Sequence, residues 1–133
     1  MSKRQLNPPT LFHSTYSHAA AVEGGTLIVT AGQVAFDREG KVVGAGDIAA
    51  QTHQTYANLR DALKAAGADF SDVIKVTTYV TDPASLGIAR DIRMKYMPFA
   101  EQPASTGLVV ARLVHPDLLI EVEMMAFVER KQA

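Results

Sequence analysis

The sequence predicts an α+β fold, with two helices covering one face of a β-sheet. Two segments repeat apolar residues at helical spacing, and several β-branched, alternating segments lie before, between and after them. The resulting order is β-β-α-β-α-β-β, and two helices can cover only one face of a sheet this wide. The chain has 133 residues, enough for one domain with its own core, which we take to span residues 1–133.

Composition and charge argue against several classes of function. The chain has no cysteine, which excludes disulfides and thiol chemistry. Its net charge is −1 and it lacks a block of Lys and Arg, so nucleic acid is not an expected partner. We find no signal peptide and no segment that could span a bilayer, and we expect a cytoplasmic protein. The histidines lack the spacing of a metal site, so neither a metal nor another cofactor is expected.

The first part of the chain predicts strands. Residues 1–10 are polar and proline-rich, which predicts an extended arm, and residues 11–16 could add a short strand. Residues 19–23 and 26–34 are apolar runs on either side of Gly24-Gly25. Two glycines between such runs are typical of a hairpin turn, because they allow positive φ at both central positions.

A helix is predicted over residues 48–66. Gly44-Ala45-Gly46 forms a turn before it, Asp47 can cap its N-terminus, and Gly67 ends it. Its apolar face is formed by residues at helical spacing, with most polar residues, including Gln51, directed elsewhere. The residues of that face are Ile48, Thr52, Tyr56, Leu59 and Leu63.

The second part of the chain alternates strand and helix. Residues 73–81 are β-branched and alternating, which predicts a strand. Residues 84–97 predict a second helix that Pro98 ends, with Arg93 on its apolar side together with Leu86, Ala89, Ile92 and Tyr96. Two further strands are predicted over residues 106–113 and 118–129.

The last strand predicts a sheet that is apolar on both faces. One face is wholly apolar and suits the helices; it consists of Leu118, Ile120, Val122, Met124, Ala126 and Val128. The opposite face consists of Leu119, Glu121, Glu123, Met125 and Phe127, and it is too apolar to be left in water. We therefore expect another subunit to cover it, although the pattern does not give the number of subunits.

Glu121 and Glu123 are the first candidates for chemistry. They lie two residues apart on one strand, so both side chains leave the same, partly apolar face. Partial desolvation should raise the pKa of a carboxyl group there, which suits acid/base catalysis near neutral pH. The alternative is an exposed pair at an edge, or a pair neutralised by Lys or Arg of another subunit.

Short motifs agree in order and spacing with one known family from about Asn7 to Val128. The segments are Tyr-Ser-His-Ala at 16–19, Leu-Ile-Val-Thr-Ala-Gly-Gln-Val at 27–34, 50–67, 73–82, Pro-Ala-Ser-Thr at 103–106, 110–113 and Leu-Ile-Glu-Val-Glu-Met-Met-Ala at 119–126. Together they resemble the Rid family of reactive intermediate deaminases, which is also called the YjgF or L-PSP family. The resemblance implies a chorismate-mutase-like fold with a mixed, mainly antiparallel sheet.

The resemblance also implies an assembly and a reaction. Members of the family form homotrimers in which the sheets line a central barrel, and a small-molecule ligand binds in clefts at the subunit interfaces. They hydrolyse enamine or imine intermediates, such as 2-aminoacrylate and its imine tautomer, to a keto acid and ammonia. No cofactor takes part.

The family's functional residues match this chain only in part. The tyrosine that lines the cleft falls on Tyr16, and the glutamate that positions the attacking water falls on Glu121. Ser105 stands where the family usually has the arginine that binds the substrate carboxylate, and a frequent cysteine is replaced by Gly107. The resemblance places the substrate-binding positions at Ser105, Thr106, Gly32, Ala31 and Gly107.

The loss of the arginine leaves the substrate open. A serine hydroxyl gives one neutral hydrogen bond instead of a bidentate ionic one, a difference of roughly 1–3 kcal/mol. Arg112 should point to the opposite face from Ser105, and the sequence leaves open whether Arg90 or Arg93 reaches the cleft.

Three functions therefore remain open. The first is an imine deaminase with a changed or reduced substrate range. The second is a divergent member that acts on another metabolite, such as an aminated muconate, and the third is a non-catalytic trimer that binds a small ligand. RNA cleavage, a label that some relatives carry, ranks last because the chain has no basic patch.

Overall fold

The computed structural model describes residues 3–130 and confirms the α+β class. In chain order the elements are β1 (Lys3–Leu6), β2 (Ala19–Val22), β3 (Gly25–Val29), β4 (Gln33–Val34), α1 (Ile48–Ala65), β5 (Val73–Val80), α2 (Ser85–Tyr96), β6 (Ala104–Val109) and β7 (Ile120–Glu129). A 3-10 turn over Phe70–Asp72 leads into β5. Within residues 3–130, no helix is long and apolar enough to cross a membrane.

The main sheet is mixed and mainly antiparallel, as predicted. Its strands follow the order β3-β7-β5-β6, and β4 pairs with β7 beyond the end of β3. β5 and β6 run parallel, whereas β7 is antiparallel to each of its partners. The long strand β7 therefore lies inside the sheet, with β3 and β4 on one side and β5 on the other, and its central residues lie next to β4 and β5.

The predicted hairpin around Gly24-Gly25 is wrong. Within the described residues, β2 pairs with β1 in a separate two-stranded sheet, whereas β3 pairs with β7. The predicted arm over residues 1–10 accordingly contains a strand from Lys3 to Leu6, and residues 11–16 form none. Gly24 has a positive φ of 74° and turns the chain, but the strands on either side of it pair with different partners, β1 and β7.

The predicted strand over residues 106–113 starts too late and ends too late. The observed strand β6 covers Ala104–Val109, because its parallel pairing with β5 begins at Ala104 opposite Lys75. Residues 110–113 are irregular, although their sequence alternates. Arg112 consequently lies outside the strand, and its alternation with Ser105 has no meaning there.

Helix α1 begins as the sequence predicts and buries the predicted face. The carboxylate of Asp47 accepts a hydrogen bond from the Ala50 N–H at 3.0 Å, which satisfies one of the free donors of the first turn. Thr52, Tyr56, Leu59 and Leu63 are buried against the sheet. Gln51 was expected to point away from this face, but it is fully buried. Its amide joins the helix to the loop before β7.

The face of the sheet that the helices leave uncovered carries exposed apolar side chains. On the helix side Ile120, Val122 and Met124 are buried in the core. On the other side Leu27 and Val29 are 55% and 62% exposed. These residues, with Met125 and Leu108, form what we call the open face. Phe127 departs from the prediction for that face, since it is buried within one chain, packed closely against Gly25.

Candidate functional site

A cavity of about 320 Å³ lies beside α2, and we call it the α2 cavity. Its walls come from the loop before β2, from both helices and from strands β5 and β6. The lining residues are Ser14, Thr15, Tyr16, Tyr56, Thr78, Leu86, Gly87, Ala89, Arg90, Arg93, Ser105 and Gly107. The cavity thus collects hydroxyl groups and two arginines, and it includes Tyr16, Ser105 and Gly107 from the predicted site.

Backbone pairing brings Tyr16 to this cavity. Ser17 forms a parallel bridge with Ala104, and its N–H donates to the Pro103 carbonyl oxygen at 3.0 Å. The residue before the bridge is therefore held beside the start of β6, close to Ser105. The ring of Tyr16 packs edge-on against His18, with centroids 5.1 Å apart. The sequence did not predict this pairing between the segment before β2 and the start of β6.

Arg93 is the functional residue that the sequence left open. Its Nη1 donates to the Ser105 hydroxyl at 2.9 Å, and its Nη2 donates to the Thr15 carbonyl oxygen at 3.2 Å. Only 5% of the residue is exposed. The position of an arginine on the apolar side of the second helix is the signal that could have identified it. Ser105 stands at the position of the family's arginine, and its hydroxyl accepts a hydrogen bond from a different arginine, Arg93 of α2.

The α2 cavity contains a buried positive charge, the guanidinium of Arg93. Burial lowers the pKa of the Arg93 guanidinium, because the charged form loses its hydration. Tyr56 lies on the same cavity wall, and burial raises the pKa of its hydroxyl well above the ordinary value. Tyr56 therefore stays protonated and provides no negative charge for Arg93.

A second depression of about 740 Å³ lies where β4 meets β7, and we call it the β7 groove. Its lining residues are Gly32, Gln33, Val34, Phe36, Asp37, Arg38, Gln54, Asn58, Asp61, Val114 and Glu121. The Asn58 amide holds one wall by donating to the carbonyl oxygens of Val34 and Phe36 at 2.9 and 3.0 Å. Glu121 and Gly32 of the predicted site both lie in this groove.

The carboxylate of Glu121 lies in the space that a side chain at Gly32 would occupy. A Cβ atom on Gly32 would lie 2.2 Å from Oε2 of Glu121 and 2.8 Å from its carboxyl carbon. The carboxylate therefore packs directly on the backbone at residue 32, and only glycine leaves room for it. Ala31 lies next to this contact and is exposed.

The pKa of Glu121 is raised, as the sequence predicted. Partial burial is the larger cause, and the neighbouring carboxylate of Glu123 adds to it. Glu123 itself accepts a hydrogen bond from the Tyr79 hydroxyl. The two carboxylates thus differ in role, since one is held by a partner and the other faces the groove.

The structure separates the predicted site residues into two groups within one chain. Ser105 is in register with Val76, which faces the helices, whereas Glu121 is in register with Tyr79, which faces the other side. Among the described residues, none lines both the α2 cavity and the β7 groove. Thr106 belongs to neither cavity; its hydroxyl accepts a hydrogen bond from Lys75 on the open face at 2.6 Å.

A metal centre has no set of ligands in the described part of the chain. Residues 3–130 contain no group of three or more His, Asp or Glu side chains arranged to hold an ion. The imidazole of His18, which packs against Tyr16, is hydrogen-bonded through Nε2 to the carbonyl oxygen of Phe12 at 2.6 Å.

Comparison with known proteins finds relatives along most of the chain. Residues 10–128 match the family model described as endoribonuclease L-PSP. A RutC family protein of Pyrococcus horikoshii is 35% identical over 84% of this chain and 87% of its own. A RutC family protein of Synechocystis is 32% identical over 84% of each chain.

Solved structures agree with this chain in fold as well as in sequence. A Rid family protein of unknown function from Yersinia pestis is 38% identical with a TM-score of 0.85, covering 96% of this chain and 100% of that one. A YjgF family protein from Mycobacterium tuberculosis is 30% identical with a TM-score of 0.68, again covering 96% and 100%. These similarities confirm the chorismate-mutase-like fold that the sequence predicted.

Proposed function

The chain belongs to the endoribonuclease L-PSP family, also called the Rid or YjgF family, and we propose that it hydrolyses the C=N bond of small imines. The products are a keto acid and ammonia. An enamine substrate first tautomerises to the imine, which is then hydrolysed. The observation that carries the proposal is Glu121, a half-buried carboxyl group of raised pKa that packs on the backbone at Gly32. Such a group can take up a proton from water and return it during the reaction.

Glu121 accounts for both proton transfers in the reaction. Its carboxylate takes a proton from water as the water oxygen bonds to the imine carbon, and the C=N double bond becomes a single bond to nitrogen. The carboxylic acid then returns the proton to that nitrogen. In the resulting carbinolamine, the Glu121 carboxylate takes the hydroxyl proton and delivers it to the nitrogen. The C–N bond breaks as this happens, ammonia leaves, and the carbonyl group of the keto acid forms. One water molecule is consumed, and Glu121 returns to its initial state.

A complete site requires two copies of the chain. Tyr16 and Ser105 lie at the α2 cavity, whereas Glu121 lies at the β7 groove, and within one chain no described residue lines both. We propose a homotrimer in which the α2 cavity of one copy adjoins the β7 groove of the next, with the small-molecule ligand between them. The exposed apolar side chains of the open face support this assembly, because patches of that kind mark subunit contacts.

Ser105 and Gly107 support a changed or reduced substrate range. The strand β6 offers a hydroxyl at position 105 and no side chain at position 107, where the family usually offers a guanidinium and a thiol. An aminated muconate-type substrate is one alternative, and a non-catalytic trimer that binds a small ligand is another. The net charge of −1 gives no support to RNA as the substrate.

The proposal is tested by measuring keto-acid formation. We expect the protein to accelerate the release of pyruvate from 2-iminopropanoate, which an amino-acid oxidase generates in the assay. Glu121→Ala should lower the acceleration about a hundredfold or more, since it removes the group that transfers both protons. Glu129→Ala is the matched control, because Glu129 lies on the same strand but is exposed and outside the β7 groove.

Two outcomes would contradict the proposal in different ways. An acceleration that Glu121→Ala leaves unchanged would exclude Glu121 as the proton-transfer group. No acceleration with 2-iminopropanoate, 2-iminobutanoate or an aminated muconate would favour the non-catalytic alternative.

A further inference from the structure

Arg93 is a buried cation without an anionic partner. Among the described residues its guanidinium contacts two neutral acceptors, the Ser105 hydroxyl and the Thr15 carbonyl oxygen, and it forms no ion pair. Its Nε is buried and has no hydrogen-bond partner in the described part of the chain. Buried charges in proteins are normally paired, because an unpaired one loses its hydration without compensation.

The surroundings of Arg93 are built for an anion. The second arginine of the α2 cavity, Arg90, lies at its exposed rim one helical turn earlier. The remaining polar groups of the lining are hydroxyls, which can donate to an anion; they belong to Ser14, Thr15, Tyr16, Tyr56, Thr78 and Ser105. No Asp or Glu lines the cavity among the described residues. Its volume of about 320 Å³ suits a small molecule.

We propose that Arg93 binds the carboxylate of a small keto or imino acid in the α2 cavity, with its guanidinium supplied by α2 instead of β6. Ser105 is a positioning residue, because its hydroxyl accepts the hydrogen bond that orients Nη1. Thr15 orients Nη2 in the same way through its backbone carbonyl.

The site explains why a serine suits position 105. An arginine side chain on β6 at this position would compete with Arg93 for the same space, since the Ser105 hydroxyl already lies 2.9 Å from Nη1. Two adjacent guanidinium groups in a buried cavity would also repel each other. The inference rests on the proposed function for the kind of acid that binds, but its test measures binding and needs no turnover.

The test is a calorimetric titration of the whole protein with 2-oxobutanoate and with its neutral amide, 2-oxobutanamide. We expect wild type to bind the carboxylate and to bind the amide roughly ten- to a hundredfold more weakly. Arg93→Gln should lower the affinity for 2-oxobutanoate by a similar factor, and Arg93→Lys should restore only part of it, because an ammonium cannot form a fork. Lys95→Gln is the matched control, as it removes one charge from an exposed position on the same helix.

The results separate this inference from the proposed function. Equal affinity of wild type for the acid and the amide would overturn the inference without the need for any variant, even if Arg93→Gln failed to fold. Turnover by a folded Arg93→Gln variant with unchanged KM would also overturn it and would leave the proposed hydrolysis standing. Arg93-dependent binding without turnover would support the carboxylate site and contradict the hydrolysis.

Discussion

Gly32 and Glu121 form one unit although they are distant in sequence. The carboxylate of Glu121 occupies the volume in which a side chain at position 32 would begin. Strand pairing creates this contact, since β4 places Gln33 opposite Val122 and Val34 opposite Glu121. The absence of a side chain at residue 32 thus fixes where the carboxylate lies, which is the first requirement for a proton-transfer group.

We expect Gly32→Ala to displace the Glu121 carboxylate and to lower imine hydrolysis by at least tenfold. The new Cβ would lie 2.2 Å from Oε2, a distance that only a movement of the carboxylate can relieve. Thermal unfolding of Gly32→Ala, Glu121→Ala and the double variant measures the coupling. If the clash is the cause, the loss of stability from Gly32→Ala largely disappears in the Glu121→Ala background. If the stability losses of the two single variants simply add in the double variant, the clash with Glu121 is not the cause, and Gly32 is needed for its backbone conformation instead.

The sequence predicted the location of Glu121 on its strand better than it predicted the contacts of Arg93. The position and raised pKa of Glu121 followed from alternation along one strand, which is a local pattern. Arg93 could not be assigned in the same way, because its contacts with Ser105 and Thr15 join three separate parts of the chain. Such contacts depend on how α2 lies against the sheet, and a pattern of residue types does not contain that information.

A buried amide ties helix α1 to the loop that leads into β7. Nε2 of Gln51 donates to the carbonyl oxygens of Gly44 and Asp117 at 3.2 and 2.8 Å, and its Oε1 accepts from the Leu119 N–H at 2.8 Å. One side chain therefore satisfies three backbone groups that would otherwise be unpaired. It also ties the helix start to the loop that leads into β7, two residues before Glu121.

We expect Gln51→Met to lower the free energy of unfolding by about 2–4 kcal/mol. Met has a similar volume but removes the partly buried hydrogen bonds to the Asp117 carbonyl oxygen and the Leu119 N–H. A buried backbone group left unsatisfied costs about 1–3 kcal/mol. Chemical denaturation measures the change. Lys64→Met on the exposed side of the same helix is the control and should change the stability by less than about 0.5 kcal/mol. An equal effect of both variants would contradict this account of Gln51.

Strand pairing was the part of the fold that the sequence could not supply. The helices and β7 were predicted within a few residues, since their periodicity is long and local. The segments around Gly24 were placed in a hairpin, yet β2 and β3 belong to different sheets. Likewise β6 begins at Ala104 because β5 offers a parallel edge there. Both errors have the same origin: pairing is decided by distant strands, whereas turn residues describe only the local path.

The open face divides into a polar and an apolar region. Around the middle of β5 the Lys75 ammonium bonds to Thr106, and the Tyr79 hydroxyl bonds to Glu123. Toward β3 the side chains of Leu27, Val29 and Met125 are exposed and apolar. An assembly could bury the apolar region without breaking the Lys75–Thr106 and Tyr79–Glu123 hydrogen bonds, because both are made within one chain.

We expect Val29→Lys to convert the proposed homotrimer to a monomer and to abolish the proposed imine hydrolysis. Val29 is 62% exposed in one chain, so the substitution should not disturb the fold, whereas a lysine buried between copies would lose its hydration. Light scattering after size exclusion measures the mass, which for wild type should be three times the 14.3 kDa of one chain. Ile88→Lys, on α2 and 41% exposed, is the control and should stay trimeric. Since no described residue lines both the α2 cavity and the β7 groove, a folded Val29→Lys monomer that retains full activity would contradict a site shared between copies. A Val29→Lys trimer would contradict the open face as the contact surface.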